Sequence, residues 1–165
     1  MLSSIIFISA LIASVSAAAR PWNGTQPRDI GVHCGTTQDA SLSDCNNLIK
    51  NWDSLYNADS GSCHFVVSGN VFDFGKALTV ACSGTCCVYV TGFCEPSDLP
   101  DKEQIKSEAQ GLLGCADQGK GLVNGMHQFE SDRHATCIGG RDGCGDCFDD
   151  SDYDYRVVKP PGGSC

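Results

Sequence analysis

Three residues close together in the second half of the chain could carry out acid–base chemistry: Glu130, Arg133 and His134. They supply a carboxylate, a guanidinium and an imidazole, which suit proton transfer around a phosphate only if they converge in space. If they do not converge, His134 is simply a strand residue. We expect the remaining histidines to be ordinary surface residues: His33, His64 and His127.

The sequence motifs of common hydrolases are absent from this chain. It contains no G-x-S-x-G serine motif, no H-E-x-x-H zinc motif and no phosphate-binding glycine loop. We therefore predict that the protein is not an enzyme and has no catalytic residues. A small secreted hydrolase, above all a ribonuclease that uses Glu130, Arg133 and His134, is the alternative.

A run of aspartates near the C-terminus has the residue type that calcium prefers: Asp142, Asp146, Asp149, Asp150, Asp152 and Asp154. Counted as an EF-hand loop that starts at Asp150, the segment has Tyr155 where glycine is required and Pro161 where a bidentate glutamate belongs. We predict no metal site and no cofactor, and interpret the run as a solvated acidic loop. Weak calcium binding by segment 142–154 is left open.

Twelve cysteines, all after residue 19, predict up to six disulfides: Cys34, Cys45, Cys63, Cys82, Cys86, Cys87, Cys94, Cys115, Cys137, Cys144, Cys147 and Cys165. An even number at this density is typical of secreted, disulfide-stabilised domains. Cys144 and Cys147 have the spacing of half a zinc site or of a redox pair, but no second pair has similar spacing. Structural disulfides are the favoured interpretation, and their pairing stays open.

The N-terminal segment 1–19 has no charged side chain and predicts a secretory signal peptide. Its apolar run from Ile5 to Val15 is shorter than the ~20 residues that a membrane-spanning helix needs. Small residues follow the run, as at a cleavage site. We therefore expect a secreted, extracellular protein.

The rest of the chain, 20–165, has the length of one domain. We expect this domain to be disulfide-rich and to end in a loop-rich acidic segment, 139–165. Asn23 begins an Asn-Gly-Thr sequon and is the predicted glycosylation site. The net charge of −9 disfavours nucleic acid as a partner, because the phosphate backbone would be repelled.

Two segments have the apolar periodicity of helices. From Ser41 to Tyr56, apolar residues recur at steps of three and four, and the opposite face is polar. The second predicted helix runs from Pro100 to Leu113 and has Ser97 or Asp98 as its N-cap.

Short β-prone runs predict strands at 64–67, 71–74, 78–81, 86–91 and 134–138, with a weaker one at 155–158. Successive residues of a strand face opposite sides, so Cys86 and Cys87 should not pair with each other. We expect Cys86 to bond inward to the helix layer and Cys87 outward to a loop. The order of the elements predicts an α+β fold, a two-layer α/β sandwich with two helices packed on one face of an antiparallel sheet.

Four stretches of the chain resemble motifs of a known group of secreted proteins. Residues 30–35, Ile-Gly-Val-His-Cys-Gly, resemble the opening motif of the calcium-channel-blocking killer toxins of smut fungi. Residues 44–49 resemble the first helix of the related cysteine-rich extracellular effectors of plant-pathogenic fungi. Segment 75–92 resembles the central strand pair of both groups, and segment 105–123 their second helix and the turn after it.

This resemblance implies an α/β sandwich, extracellular action and no catalytic centre. The killer toxins are basic and a lysine is held to matter for channel block, whereas this chain is acidic, so no functional residue is carried over. We therefore expect a secreted effector or toxin-like protein, related to virulence, that acts as a monomer. Its expected partner is an extracellular or cell-surface protein of another organism, and a structural cell-wall protein is a further alternative.

Overall fold

The protein is described by a computed structural model that covers residues 29–35, 38–66, 74–129, 134–142 and 147–148. The predicted signal peptide 1–19, the Asn23 sequon and the strand predicted at 155–158 lie outside the described residues. The same holds for Glu130 and Arg133, and for the following cysteines and aspartates: Cys144, Cys165, Asp146, Asp149, Asp150, Asp152 and Asp154.

The described chain forms strands and a few helices. The strands are β1 (Asp29–Cys34), β2 (Ala40–Ser41), β3 (Gly61–Val66), β4 (Phe74–Ser83), β5 (Cys86–Thr91), β6 (Leu122–Val123), β7 (Gly125–Phe129) and β8 (His134–Gly140). The α-helices are α1 (Leu42–Lys50), α2 (Trp52–Leu55) and α3 (Lys102–Leu112). Six strands form one antiparallel sheet in the order β1-β7-β8-β5-β4-β3, and β2 pairs with β6. The predicted α+β class is confirmed.

The main core lies between the helices and one face of the sheet. It contains Cys45, Leu48 and Trp52 from α1 and α2, and Ile105, Ala109 and Leu112 from α3. The sheet contributes alternate residues of its central strands: Leu78, Val80, Cys86, Val88, Val90 and Ile138. The helices form here because their apolar residues recur at helical spacing and are buried against this face.

The opposite face of the sheet carries a second, smaller core. It comprises Ala77, Cys87, Tyr89, Met126, Ala135, Cys137, Cys147 and Phe148. Cys147 and Phe148 are buried, so part of the segment predicted as an acidic loop covers the sheet. Residues 139 and 140 of that segment belong to β8. Strands β5 and β8 are therefore buried on both faces.

Four disulfides join the described elements. Cys34 of β1 bonds Cys115 after α3, Cys45 of α1 bonds Cys86 of β5, Cys82 of β4 bonds Cys87 of β5, and Cys137 of β8 bonds Cys147. Cys63 and Cys94 are also disulfide-bonded. The prediction of disulfide bonding is confirmed for the cysteines that the structure describes.

The two adjacent cysteines of β5 bond to opposite faces of the sheet, as predicted. Cys86 bonds inward to the helix α1. The partner of Cys87, however, is Cys82 on the neighbouring strand and not a residue of a loop. The reason is the tight turn at residues 84–85, which places Cys82 directly opposite Cys87 in the strand register.

The structure corrects the bounds of both predicted helices. The first is interrupted at Asn51, whose side-chain Nδ2 donates to the Asn47 carbonyl at 2.9 Å. Asparagine favours such local bonds over a continuous helix. The second helix has Asp101 as its N-cap, because the Asp101 side chain accepts from the Glu103 backbone N–H at 2.8 Å. Ser97 and Asp98, predicted as caps, lie in a separate 3-10 turn, Pro96–Asp98.

The β4–β5 turn provides a test of how α1 is held on the sheet. Asp44 of α1 accepts hydrogen bonds from Thr85 N at 2.8 Å and Thr85 Oγ1 at 2.7 Å. A Cβ at Gly84, whose φ is +56°, would lie 2.7 Å from Asp44 Oδ1. We expect Gly84→Ala to lower the free energy of unfolding by about 2–4 kcal/mol, since the left-handed backbone strain adds to the loss of these bonds.

Gly121→Ala is the matched control, because Gly121 has a similar φ of +67° but no atom within 4 Å of the added Cβ. Denaturant unfolding with the disulfides intact measures both variants. Equal losses of stability in the two variants would contradict the role assigned to the hydrogen bonds between Asp44 and Thr85.

Candidate functional site

Among the described residues, one acid–base pair lies at the junction of helix and sheet. The imidazole Nε2 of His134, at the start of β8, lies 3.1 Å from both carboxylate oxygens of Glu108 on α3. Thr136 Oγ1 donates to Glu108 Oε2 at 2.6 Å, and Gln104 Nε2 donates to Glu108 Oε1 at 3.0 Å. We call Glu108, His134 and Thr136 the buried triad.

Strand and helix periodicity bring the buried triad together. His134 and Thr136 are two residues apart on β8 and therefore point to the same face, towards α3. Glu108 lies three residues after Ile105 and four before Leu112, which places it within the buried stripe of α3. The carboxylate thus enters the core because its helix is packed there.

The buried triad is closed to solvent. The side chain of His134 has 0% of its surface exposed and that of Glu108 has 8%. Burial by itself raises the pKa of the Glu108 carboxyl, but the hydrogen bond and charge of His134 outweigh it, together with hydrogen bonds from Thr136 and Gln104. The net effect lowers the pKa of Glu108 below its ordinary value, so Glu108 is a carboxylate at neutral pH.

Aromatic rings surround the imidazole of His134. The ring of Phe129 stacks on it at a centroid distance of 4.7 Å and an angle of 18°, and Phe93 lies 5.8 Å away. The ring of His127 lies against Phe129 at a centroid distance of 3.9 Å, tilted by 36°. His134 Nδ1 is buried without a hydrogen-bond partner among the described residues. The imidazole is therefore held by packing on its faces and by Glu108 at one edge.

Of the three residues that the alternative hydrolase hypothesis would use, the structure describes His134 alone. His134 is a strand residue, as the favoured interpretation held, and its side chain contacts core residues. His127, expected to be an ordinary surface residue, is half-buried within the aromatic cluster. Sequence reasoning missed Glu108, although a signal existed: a glutamate stands among the apolar residues of the α3 stripe.

A cavity of about 310 Å³ lies on the molecule beside the turn at residues 117–121. Its polar lining comprises Asp39, Asp117, Lys120 and Asn124. Asn124 is buried, its Nδ2 donates to Asp39 Oδ1, and its Oδ1 has no hydrogen-bond partner among the described residues. The cavity thus has exposed charges of both signs around a buried amide.

The turn itself holds the charged groups of the cavity. Asp117 Oδ1 accepts from the backbone N–H groups of Gly119 at 3.0 Å and Lys120 at 3.1 Å, and Lys120 Nζ lies 3.3 Å from Asp117 Oδ2. These bonds from Lys120 lower the pKa of Asp117, which is therefore ionised at neutral pH. The cavity can bind a polar group by hydrogen bonds and charge.

Across the described residues, no group of three or more His, Cys, Asp or Glu side chains is arranged to hold a metal ion. No helix in the described part of the chain is long and apolar enough to cross a membrane. The chain matches no protein-family model, no curated protein and no solved structure. The resemblance to the killer toxins and effectors therefore stays a prediction.

The hydroxyl of Thr136 offers a test of the buried triad. We expect Thr136→Val to lower the free energy of unfolding at pH 7 by about 1–3 kcal/mol, because the buried Glu108 carboxylate loses a donor. Thr79→Val on β4 is the control, since Thr79 is half-buried and its hydroxyl has no described hydrogen bond. Urea unfolding of both variants measures the difference, and a loss no larger than that of Thr79→Val would contradict the assigned role.

Proposed function

We propose that the protein is a secreted, cysteine-rich effector or toxin-like protein that acts by binding an extracellular or cell-surface protein of another organism. In this proposal it is related in layout to the fungal killer toxins and effectors whose motifs it resembles. It performs no catalysis in this role. Its disulfides indicate an oxidising compartment, since such bonds do not persist in the cytosol.

The burial of the acid–base pair is the observation that supports binding over hydrolysis most directly. A general base must come within hydrogen-bond reach of the proton that it abstracts. His134 and Glu108 are enclosed between α3 and the sheet, where a phosphate or peptide substrate cannot reach them. This counts against a ribonuclease that uses His134.

The crosslinks suit a protein that must keep a binding surface outside the cell. Cys34–Cys115 joins the edge strand β1 to the segment after α3, and Cys45–Cys86 joins α1 to the central strand β5. A surface held in this way loses little conformational freedom when it binds, which favours affinity. The cavity beside residues 117–121 follows directly after Cys115, so we assign it to the contact with the partner.

Binding without turnover is the expected result for the native protein. We expect labelled protein to bind saturably to intact cells of the target organism, with displacement by unlabelled protein. Reduction and alkylation of the cysteines should abolish this binding, because the fold loses its crosslinks. Incubation with RNA, glycans and peptides should release no product. Turnover that disappears in His134→Gln while binding persists would contradict the proposal.

The cavity is tested by replacing its lysine. We expect Lys120→Gln to weaken binding about tenfold, the effect of one lost charged contact. Lys50→Gln is the matched control, because Lys50 is also exposed but lies at the end of α1, away from the cavity. Equal affinity of the two variants would show that the cavity is not part of the interface and that another surface binds the partner.

A further inference from the structure

Helix α3 differs from α1 in how it is attached to the sheet. A disulfide, Cys45–Cys86, bonds α1 directly to β5. Residues 95–114, which include all of α3, contain no cysteine. The segment is fixed at its two ends by Cys94 and Cys115, which are both disulfide-bonded. Between these anchors α3 is held on the sheet by noncovalent contacts.

Those contacts are of three kinds. Ile105, Ala109 and Leu112 bury apolar surface against the sheet. Trp52 Nε1 donates to the backbone carbonyl of Lys102 at 3.0 Å, and Lys102 Nζ forms an exposed ion pair with Asp53 at 2.8 Å. The buried triad supplies the remaining contact, and it is the one that contains titratable groups away from solvent.

The neighbours of the buried triad offer little to replace a lost charge. Gln104 on α3 and Thr136 on β8 are neutral donors, and the rings of Phe93 and Phe129 cover the imidazole. His127 of β7, beyond Phe129, is a further titratable group. Glu130 and Arg133 of the β7–β8 connection lie outside the described residues.

We propose that Glu108 and His134 form an acid-sensitive latch, which holds α3 on β7 and β8 at neutral pH and releases it in acid. While Glu108 is ionised, its two oxygens accept hydrogen bonds from His134, Thr136 and Gln104. When Glu108 is protonated, its carboxyl can no longer accept from all of these donors, and a donor left unpaired in this buried site is unfavourable. The helix can then leave the sheet because no disulfide crosses this interface.

The direction of the pH dependence follows from the lowered pKa of Glu108. A carboxyl whose pKa is lower in the folded than in the unfolded chain stabilises the fold above its ordinary value, here 4.5, and loses that contribution as the pH falls through the lower value. The latch is therefore closed at neutral and mildly acid pH, and it opens below about pH 4.5.

Release of α3 exposes apolar surface on the helix and on the sheet. The helix would present Ile105, Ala109 and Leu112, and the sheet would present Ile138 of β8. The crosslinks of β1, α1, β4 and β5 are unchanged by acid, so the opened state remains compact and can close again at neutral pH. The proposal goes beyond the proposed binding function and does not depend on it.

Trp52 is a built-in reporter of the latch, because its indole bonds to the first residue of α3. Trp22→Phe removes the other of the two tryptophans and leaves Trp52 as the single emitter. In this background we expect a reversible red shift of fluorescence below about pH 4.5, with binding of a hydrophobic dye. Hydrogen exchange, corrected for intrinsic rates, should show loss of protection in residues 102–112 and retention in 86–91.

Two variants separate the latch from a general effect of acid. Glu108→Gln should loosen α3 already at neutral pH and remove the acid transition, because the glutamine amide does not titrate and its single oxygen cannot accept from all the donors. Glu108→Leu/His134→Phe/Thr136→Val should abolish the transition, because the site becomes apolar. Glu103→Gln, on the exposed side of α3, is the control and should leave the midpoint unchanged.

The proposal is overturned by any of three results. The first is a midpoint in Glu108→Gln that equals that of the parent. The second is simultaneous loss of protection in α3 and β5, which is global unfolding. The third is the absence of any change in Trp52 fluorescence between pH 7 and pH 2.5. Since Glu108→Gln keeps the size of the side chain, this variant tests the proposal even if the triple variant does not fold.

Discussion

Covalent links between sulfur atoms are the constraint on which the rest of this structure depends. Cys34–Cys115 closes a loop of 81 residues, whereas Cys82–Cys87 closes one of 5. In the chain-entropy account, a disulfide stabilises the fold because it lowers the entropy of the unfolded chain. By this account the first bond contributes about 4–5 kcal/mol and the second about 2 kcal/mol. The long-range bonds therefore contribute most, and they join β1 and α1 to distant parts of the chain.

The buried triad is polar and held by hydrogen bonds, whereas the core around it is held by apolar packing. A carboxylate inside a core costs solvation free energy that only its hydrogen bonds and nearby polar groups can offset. It persists here because each oxygen of Glu108 has a donor, which fixes the rotation and the depth of α3 against β8. Packing thus determines that α3 lies on the sheet, and the triad determines how it lies there.

Local patterns predicted much of the fold and little of the site. The apolar stripes predicted α1 and α3, and the alternation in β5 predicted that Cys86 and Cys87 bond to opposite faces. Strands β1 and β7 were missed, because Gly-Met-His-Gln-Phe in β7 has no strong β-propensity and becomes a strand by pairing with β8. Glu108 and His134 are 26 residues apart, and their contact depends on how α3 crosses the sheet, which no local pattern contains.

The central claim is that oxidised cysteine pairs hold this fold together. Peptide mapping of the native protein under non-reducing conditions tests it most directly. We expect all 12 cysteines to resist alkylation before reduction and to yield the pairs Cys34–Cys115, Cys45–Cys86, Cys82–Cys87 and Cys137–Cys147. Mostly alkylated thiols in native material, or zinc bound stoichiometrically to those cysteines, would contradict the account.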